Sequence, residues 1–219
     1  MTIARQLTRE AGVPAIVGGV EFPWPEFRSY PRTEFRAGTP LFHQGDPSDH
    51  VCVLESGLVK LTQACANGRL TIVALRGRAS VLGLDAALLG TPRAVTAMPV
   101  RTAVVVRVPV DEFERRLWAS RRLAWYALRE QCLDEQRSHA RIAAFACLSA
   151  RERLEAVIAE VTGEPGPCDG APLPLRDWEL AQLVGVTPQY LCVLVHELRD
   201  EGLLERRGER WWWRPRELA

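Results

Sequence analysis

Residues 177–202, DWELAQLVGVTPQYLCVLVHELRDEG, leave the chain few ways to fold. Ala181 is small where two helices must cross closely. Gly185 supplies a turn, because a residue without a Cβ reaches positive φ freely. Leu180, Val184, Val186, Leu191, Leu194 and Leu198 recur at three- and four-residue steps and share the inward faces of a helix pair. Thr187 predicts a side-chain cap for the second helix, Pro188 its first position and Gly202 its end. An ordinary helical hairpin needs none of this register. The stretch predicts a helix-turn-helix, which presents its second helix to the DNA major groove. After it, Leu203–Arg207 and Arg210–Arg214 flank a turn at Gly208 and predict a two-stranded wing.

The rest of the chain has a different texture. Residues 1–32 are expected to form an irregular extension broken by Pro23, Pro25 and Pro31. From Thr33 to Pro109, short apolar or alternating runs are separated by Gly, Pro, Asn and Asp, as in a sandwich or barrel of many strands. Residues 110–161 contain no Gly or Pro and read as helix throughout. In that stretch Leu123, Ala127, Leu133, Ala140 and Ala144 form an apolar stripe expected to pair with a second copy. Residues 163–174 are rich in Gly and Pro and predict a loop. The expected fold is therefore α+β: a β-roll over 33–118, a dimerisation helix over 119–147 and a winged helix-turn-helix over 148–219.

Composition narrows the setting. No apolar run reaches the ~20 residues of a membrane span. Residues 11–20 are apolar but contain Pro14 and three glycines and lack a cleavage pattern, so no signal peptide is expected. Six cysteines show neither CxxC nor CxxxC spacing, which argues against a zinc site and a disulfide framework and favours the reducing cytoplasm. One lysine, Lys60, stands against 27 arginines. No Ser-His-Asp set, Walker loop or HExxH motif argues for catalysis.

Several motifs resemble the CRP/FNR family of bacterial transcription regulators. Residues 38–46, GTPLFHQGD, and 51–59, VCVLESGLV, resemble the glycine-punctuated first half of its cyclic-nucleotide-type roll. Val108-Pro109 followed by Asp111-Glu112-Phe113 resembles the exit from that roll, and residues 149–154, SARERL, the start of the DNA-binding domain. The resemblance implies a homodimer, an effector or a constitutive state that sets the recognition helices, and two half-sites one helical turn apart. It also implies double-stranded DNA and RNA polymerase as partners, and no membrane.

The departures from the family bear on chemistry. The effector stretch is Gly83-Leu84-Asp85-Ala86 and then Arg93-Ala94. Cyclic-AMP-binding members carry Glu where this chain has Leu84 and Ser where it has Ala94, which argues against cyclic AMP. Gly-Leu-Asp-Ala is nearer the FNR branch. The chain has no cysteine before Cys52, and Val106 occupies the strand position of the last ligand, which argues against that branch's iron–sulfur cluster. A haem or redox sensor with DNA as output is a third reading, with His43 or His50 as the candidate haem ligand.

On the recognition helix, Gln189, Cys192 and Val193 replace the family's Glu, Ser or Gly, and Arg. Gln189 can pair bidentately with adenine, and Val193 can touch a thymine methyl. Thr187, Tyr190 and His196 are expected to reach phosphates, with Arg206, Arg207 and Arg210 from the wing. Cys192 reads as a small apolar filler, and Trp212 is expected to be the exposed ring of the triple tryptophan. Residues 149–219 hold nine arginines against thirteen acidic residues, a net charge of −4. That balance keeps a second reading open: a degenerate family member serving as a protein-interaction module.

Overall fold

The computed structural model describes residues 24–214, apart from 67, 69 and 163–169. Cys168, Arg216 and the greater part of the Gly/Pro-rich loop therefore lie outside the described residues. The chain forms two compact units that part at Glu135 and Gln136.

The first unit is an antiparallel roll. Strands β1 (Arg32–Phe35), β7 (Ala103–Pro109), β2 (His50–Ser56) and β5 (Val81–Leu82) form one sheet in the order β1-β7-β2-β5. Strands β4 (Leu70–Arg76), β3 (Val59–Ala64) and β6 (Thr96–Pro99) form the other, in that order. Alternation along a strand sends successive side chains to opposite faces. In β2, Cys52 and Leu54 enter the core between the sheets with Leu41, Phe42, Val59, Ala97 and Val105. Val51 and Val53 face the other way, into a second core with Val106, Val108, Phe113 and Leu123. Strand β2 is thus buried on both faces, which explains its unbroken apolar run.

Several expectations change here. The segment expected to hold a series of short strands also contains a helix, α1 (Leu84–Leu89), held between Gly83 and Gly90. Residues 40–46 do not form a strand; Phe42 makes only an isolated bridge to Ala97. Phe27, expected in an irregular extension, lies in a 3-10 turn (Trp24–Phe27) and is fully buried in the roll. The single helical stretch is three helices: α2 (Val110–Ala119), α3 (Arg121–Cys147) and α4 (Ala150–Thr162).

Helix α3 begins against the roll. Leu123, Tyr126 and Ala127 are buried in it, and the Tyr126 hydroxyl donates to the Ala79 carbonyl at 2.8 Å. Leu123 and Ala127 therefore face their own roll and are not free to meet a second copy, which corrects the expected stripe. Leu133, Ala140 and Ala144 are half-buried. Apolar spacing alone does not distinguish a stripe that docks on its own domain from one that meets a partner.

The second unit contains α4, α5 (Asp177–Val184), α6 (Pro188–Asp200) and a three-stranded sheet. That sheet is β8 (Ala171–Pro172), β10 (Arg210–Trp213) and β9 (Leu204–Arg207), in the order β8-β10-β9. Helices α5 and α6 bury Leu180, Ala181, Val184, Leu191, Leu194 and Leu198 between them and the rest of the unit.

Candidate nucleic-acid interface

Helix α6 starts as its sequence requires. The Thr187 hydroxyl accepts from the Tyr190 backbone N–H at 3.2 Å, and Pro188 occupies the first turn. Leu191, Leu194, Val195 and Leu198 take the inner face. Gln189, Tyr190, Cys192, Val193 and His196 are left on the outer one, all exposed. These five share one strip without a formal charge. The far end of the helix is acidic. Arg151 binds Glu155 at 3.2 Å and Glu201 at 2.7 Å, and Arg199 pairs with Asp200 at 2.9 Å.

The turn before α6 is held from beneath. Gly185 has φ of 72°, and a Cβ placed on it would lie 2.5 Å from the Phe145 ring. Arg141 and Arg153 stand over that ring, at 5.7 and 5.2 Å from its centroid. Arg141 donates to the Leu183 carbonyl at 3.1 Å, and Arg153 to the Val184 carbonyl at 2.9 Å. Two guanidinium groups thus satisfy the last carbonyls of α5, where a helix leaves acceptors open and its dipole favours cations. No motif or spacing in the sequence marks Arg141, Phe145 or Arg153 for this role. Arg153 lies in the quoted SARERL motif, but spacing along the chain does not place it beside residue 184.

The wing is a hairpin with Arg207 opposite Arg210 and Gly208-Glu209 at its tip. Trp211 and Trp213 are buried, and the Trp211 indole donates to Asp177 at 3.0 Å, tying the wing to the start of α5. Trp212 is half-buried under the Arg207 guanidinium, 4.6 Å from its ring centroid, and not exposed as expected. Glu205 holds Arg207 at 3.1 Å and Arg214 at 2.8 Å. Arg206 stands over Trp211 at 5.2 Å. Arg210 is exposed and forms no ion pair among the described residues.

In the roll, the expected effector residues separate. Gly83 and Arg93 meet: the Arg93 guanidinium donates to the Gly83 carbonyl at 2.9 Å and to the His50 carbonyl, and stands 4.4 Å over Phe42. Arg93 is only 2% exposed. Leu84 is part of the roll core, whereas Asp85 and Ala94 are exposed.

His50 is engaged at both ring nitrogens. Nδ1 faces the Asp49 carboxylate, and Arg107 donates to Nε2 at 2.8 Å. Burial, with Arg107 and Arg93 nearby, holds the His50 pKa below the usual range against the raising effect of Asp49. That leaves no ring lone pair for iron unless the Arg107 contact breaks. Among the described residues, no group of three His, Cys, Asp or Glu side chains is placed to hold a metal. No described helix is long and apolar enough to cross a membrane.

Residues 32–118 match the cyclic nucleotide-binding domain family. No curated protein matches the chain. Among solved structures, it is similar to the c-di-GMP-responsive global regulator CLP of Xanthomonas campestris. The two are 18% identical with a TM-score of 0.73, over 87% of this chain and 97% of that one. FixK2 of Bradyrhizobium japonicum is 17% identical with a TM-score of 0.75, over 86% and 94%. A CRP/FNR-family transcriptional regulator of Thermus thermophilus, TTHA1359, is 19% identical with a TM-score of 0.72, over 84% and 94%. At these identities the likeness is one of fold.

Proposed function

From a chain that carries a cyclic nucleotide-binding domain on the fold of the CRP/FNR transcription regulators, we infer a homodimeric regulator that reads double-stranded DNA. The observation that carries this reading is the outer strip of α6. Its uncharged side chains lie beside a wing bearing arginines, while the opposite face of the helix is core. Gln189 would contact a base edge, and Val193 a thymine methyl. Thr187, whose oxygen caps the helix but whose O–H remains a donor, would reach phosphate with Tyr190, His196 and the wing arginines.

Pairing would run along α3. Positions 121, 125, 128, 132, 135, 139, 142 and 146 alternate steps of four and three, and all eight are exposed. A two-stranded coil would use such a 3.5-residue spacing, here with Arg121, Glu135 and His139 between the apolar positions. Trp125, Leu128 and Ile142 are 67%, 57% and 66% exposed on it, with Cys132 and Ala146. A twofold pair joined there would present two α6 helices to successive major grooves. The setting is the bacterial cytoplasm, with RNA polymerase as the further partner.

Selection of bound duplexes from random DNA tests this reading. The expected product is a two-part site with half-sites about 10 base pairs apart. Absence of any enriched site, together with a monomer at high concentration, would contradict it. The acidic balance of residues 149–219, and Glu205 holding two wing arginines, favour the protein-interaction module as a second reading. Retention on duplex DNA that weakens as salt rises supports the regulator, and no retention at low salt supports the module.

A further inference from the structure

Building on the regulator reading, we propose that Arg93 plugs the anion cradle of the cyclic nucleotide-binding domain, so that the roll takes no cyclic nucleotide and the DNA-binding state is set without one. Gly83 has no side chain, which would let a ligand approach its backbone closely. That space is already filled: a Cβ placed on Gly83 would lie 1.9 Å from Arg93 Nη1.

The guanidinium is held on three sides, by the Gly83 carbonyl, the His50 carbonyl and the Phe42 ring. Its Nε is enclosed without a partner among the described residues. The backbone of residue 93 is fixed as well. Its N–H donates to the Asp46 carbonyl at 2.9 Å, and its carbonyl accepts from Gly45 at 2.8 Å.

Neighbouring side chains do not suit a nucleotide. Leu84 points into the core and offers no acceptor for a sugar hydroxyl, and Ala94 has no hydroxyl for a phosphate. Charge works in the same direction. Asp46, Asp49 and Asp85 all act on Arg93. An incoming phosphodiester would compete with both carbonyl contacts for the guanidinium. Burying a cation is costly unless it is hydrogen-bonded, and here two carbonyls take Nη1 and Nη2 without a bound anion, while Nε is left open among the described residues.

The test uses the full chain with cyclic AMP, cyclic GMP and cyclic di-GMP, each titrated to about 1 mM, following the melting temperature and DNA affinity together. The expected shift in melting temperature is below about 1 °C, and DNA affinity changes less than about twofold. A saturable rise in melting temperature with any of the three, or nucleotide-dependent DNA binding, overturns the proposal. Arg93→Ala is expected to lower the melting temperature by several degrees without creating nucleotide dependence. An unchanged melting temperature in that variant would show that the guanidinium holds nothing, which also overturns the plug. If the variant does not fold, the native titration still decides. Native protein that binds no DNA with or without nucleotide contradicts the regulator reading instead, and the melting titration still decides the plug.

Discussion

A methyl group at Gly185 would meet two obstacles. The backbone there is left-handed, at φ of 72°, and the Phe145 ring lies 2.5 Å from the new carbon. Gly185→Ala is expected to lower stability by about 1–3 kcal/mol, read from urea unfolding. Adding Phe145→Ala to Gly185→Ala should remove the collision but not the backbone strain, so the two changes should not be additive.

Cys52 makes a second prediction at this scale. It is fully buried between the sheets, and burial pushes its thiol pKa from 9.0 up to about 11. Between those values the unfolded chain releases the proton and the folded one keeps it. Stability is therefore full below about pH 9 and falls as pH rises towards 11, by up to about 1.4 kcal/mol per unit. Cys52→Ala should lose that part of the slope. A thiol reagent near neutral pH should react quickly with the exposed Cys65, Cys147 and Cys192, and this fast reaction should be the same in the variant.

Among the elements, α3 has the most to test. Its N-terminal turns use Leu123, Tyr126 and Ala127 to dock on the roll, and its exposed seam is offset from them by one or two residues. Leu128→Glu is expected to weaken self-association at least about tenfold by sedimentation, while leaving the monomer folded, because Leu128 is 57% exposed. The same change at Leu123 should unfold the roll. The sequence showed that a helix here carries apolar stripes. It did not show which stripe faces inward, because both follow nearly the same period.

Elsewhere, legibility follows how local the determining contacts are. Thr187, Pro188, Gly185 and Gly202 specify α6 and its turn from neighbours a few residues away, and the structure agrees. Helix α1 is not legible in the sequence, because LDAALL is only six residues long, too short for a helical period to emerge. The Arg141–Phe145–Arg153 cluster joins positions more than thirty residues from the carbonyls they serve, and no spacing rule reaches that far. Arg93 shows the same limit: the sequence marks its residue type, but its enclosure by the chain's own carbonyls appears only in three dimensions.

For the molecule as a whole, the proposed DNA binding would respond to salt through the wing cations. With Arg207 and Arg214 engaged by Glu205, and Arg206 standing over Trp211, Arg210 is the wing cation left with neither an ion pair nor a ring contact among the described residues. Arg210→Ala should weaken binding about equally on all sequences and reduce the salt slope by about 1. Gln189→Ala should cost about 1–3 kcal/mol at one base pair while leaving the slope unchanged. Fluorescence anisotropy across a salt series separates the two. If both changes altered the slope equally, these roles would be wrong.

On the proposed reading, the muted charge around α6 would also affect how the protein finds its target. Long-range attraction to the sugar-phosphate backbone is what keeps such proteins sliding along random chromosome. A reader whose outer strip is uncharged, and whose flanking cations are already half-neutralised from within, would dwell only briefly on arbitrary sequence. It would be released between encounters and recognise its operator mainly through close fit. Its occupancy in the cell would then track its copy number closely, with little reservoir parked elsewhere on the genome.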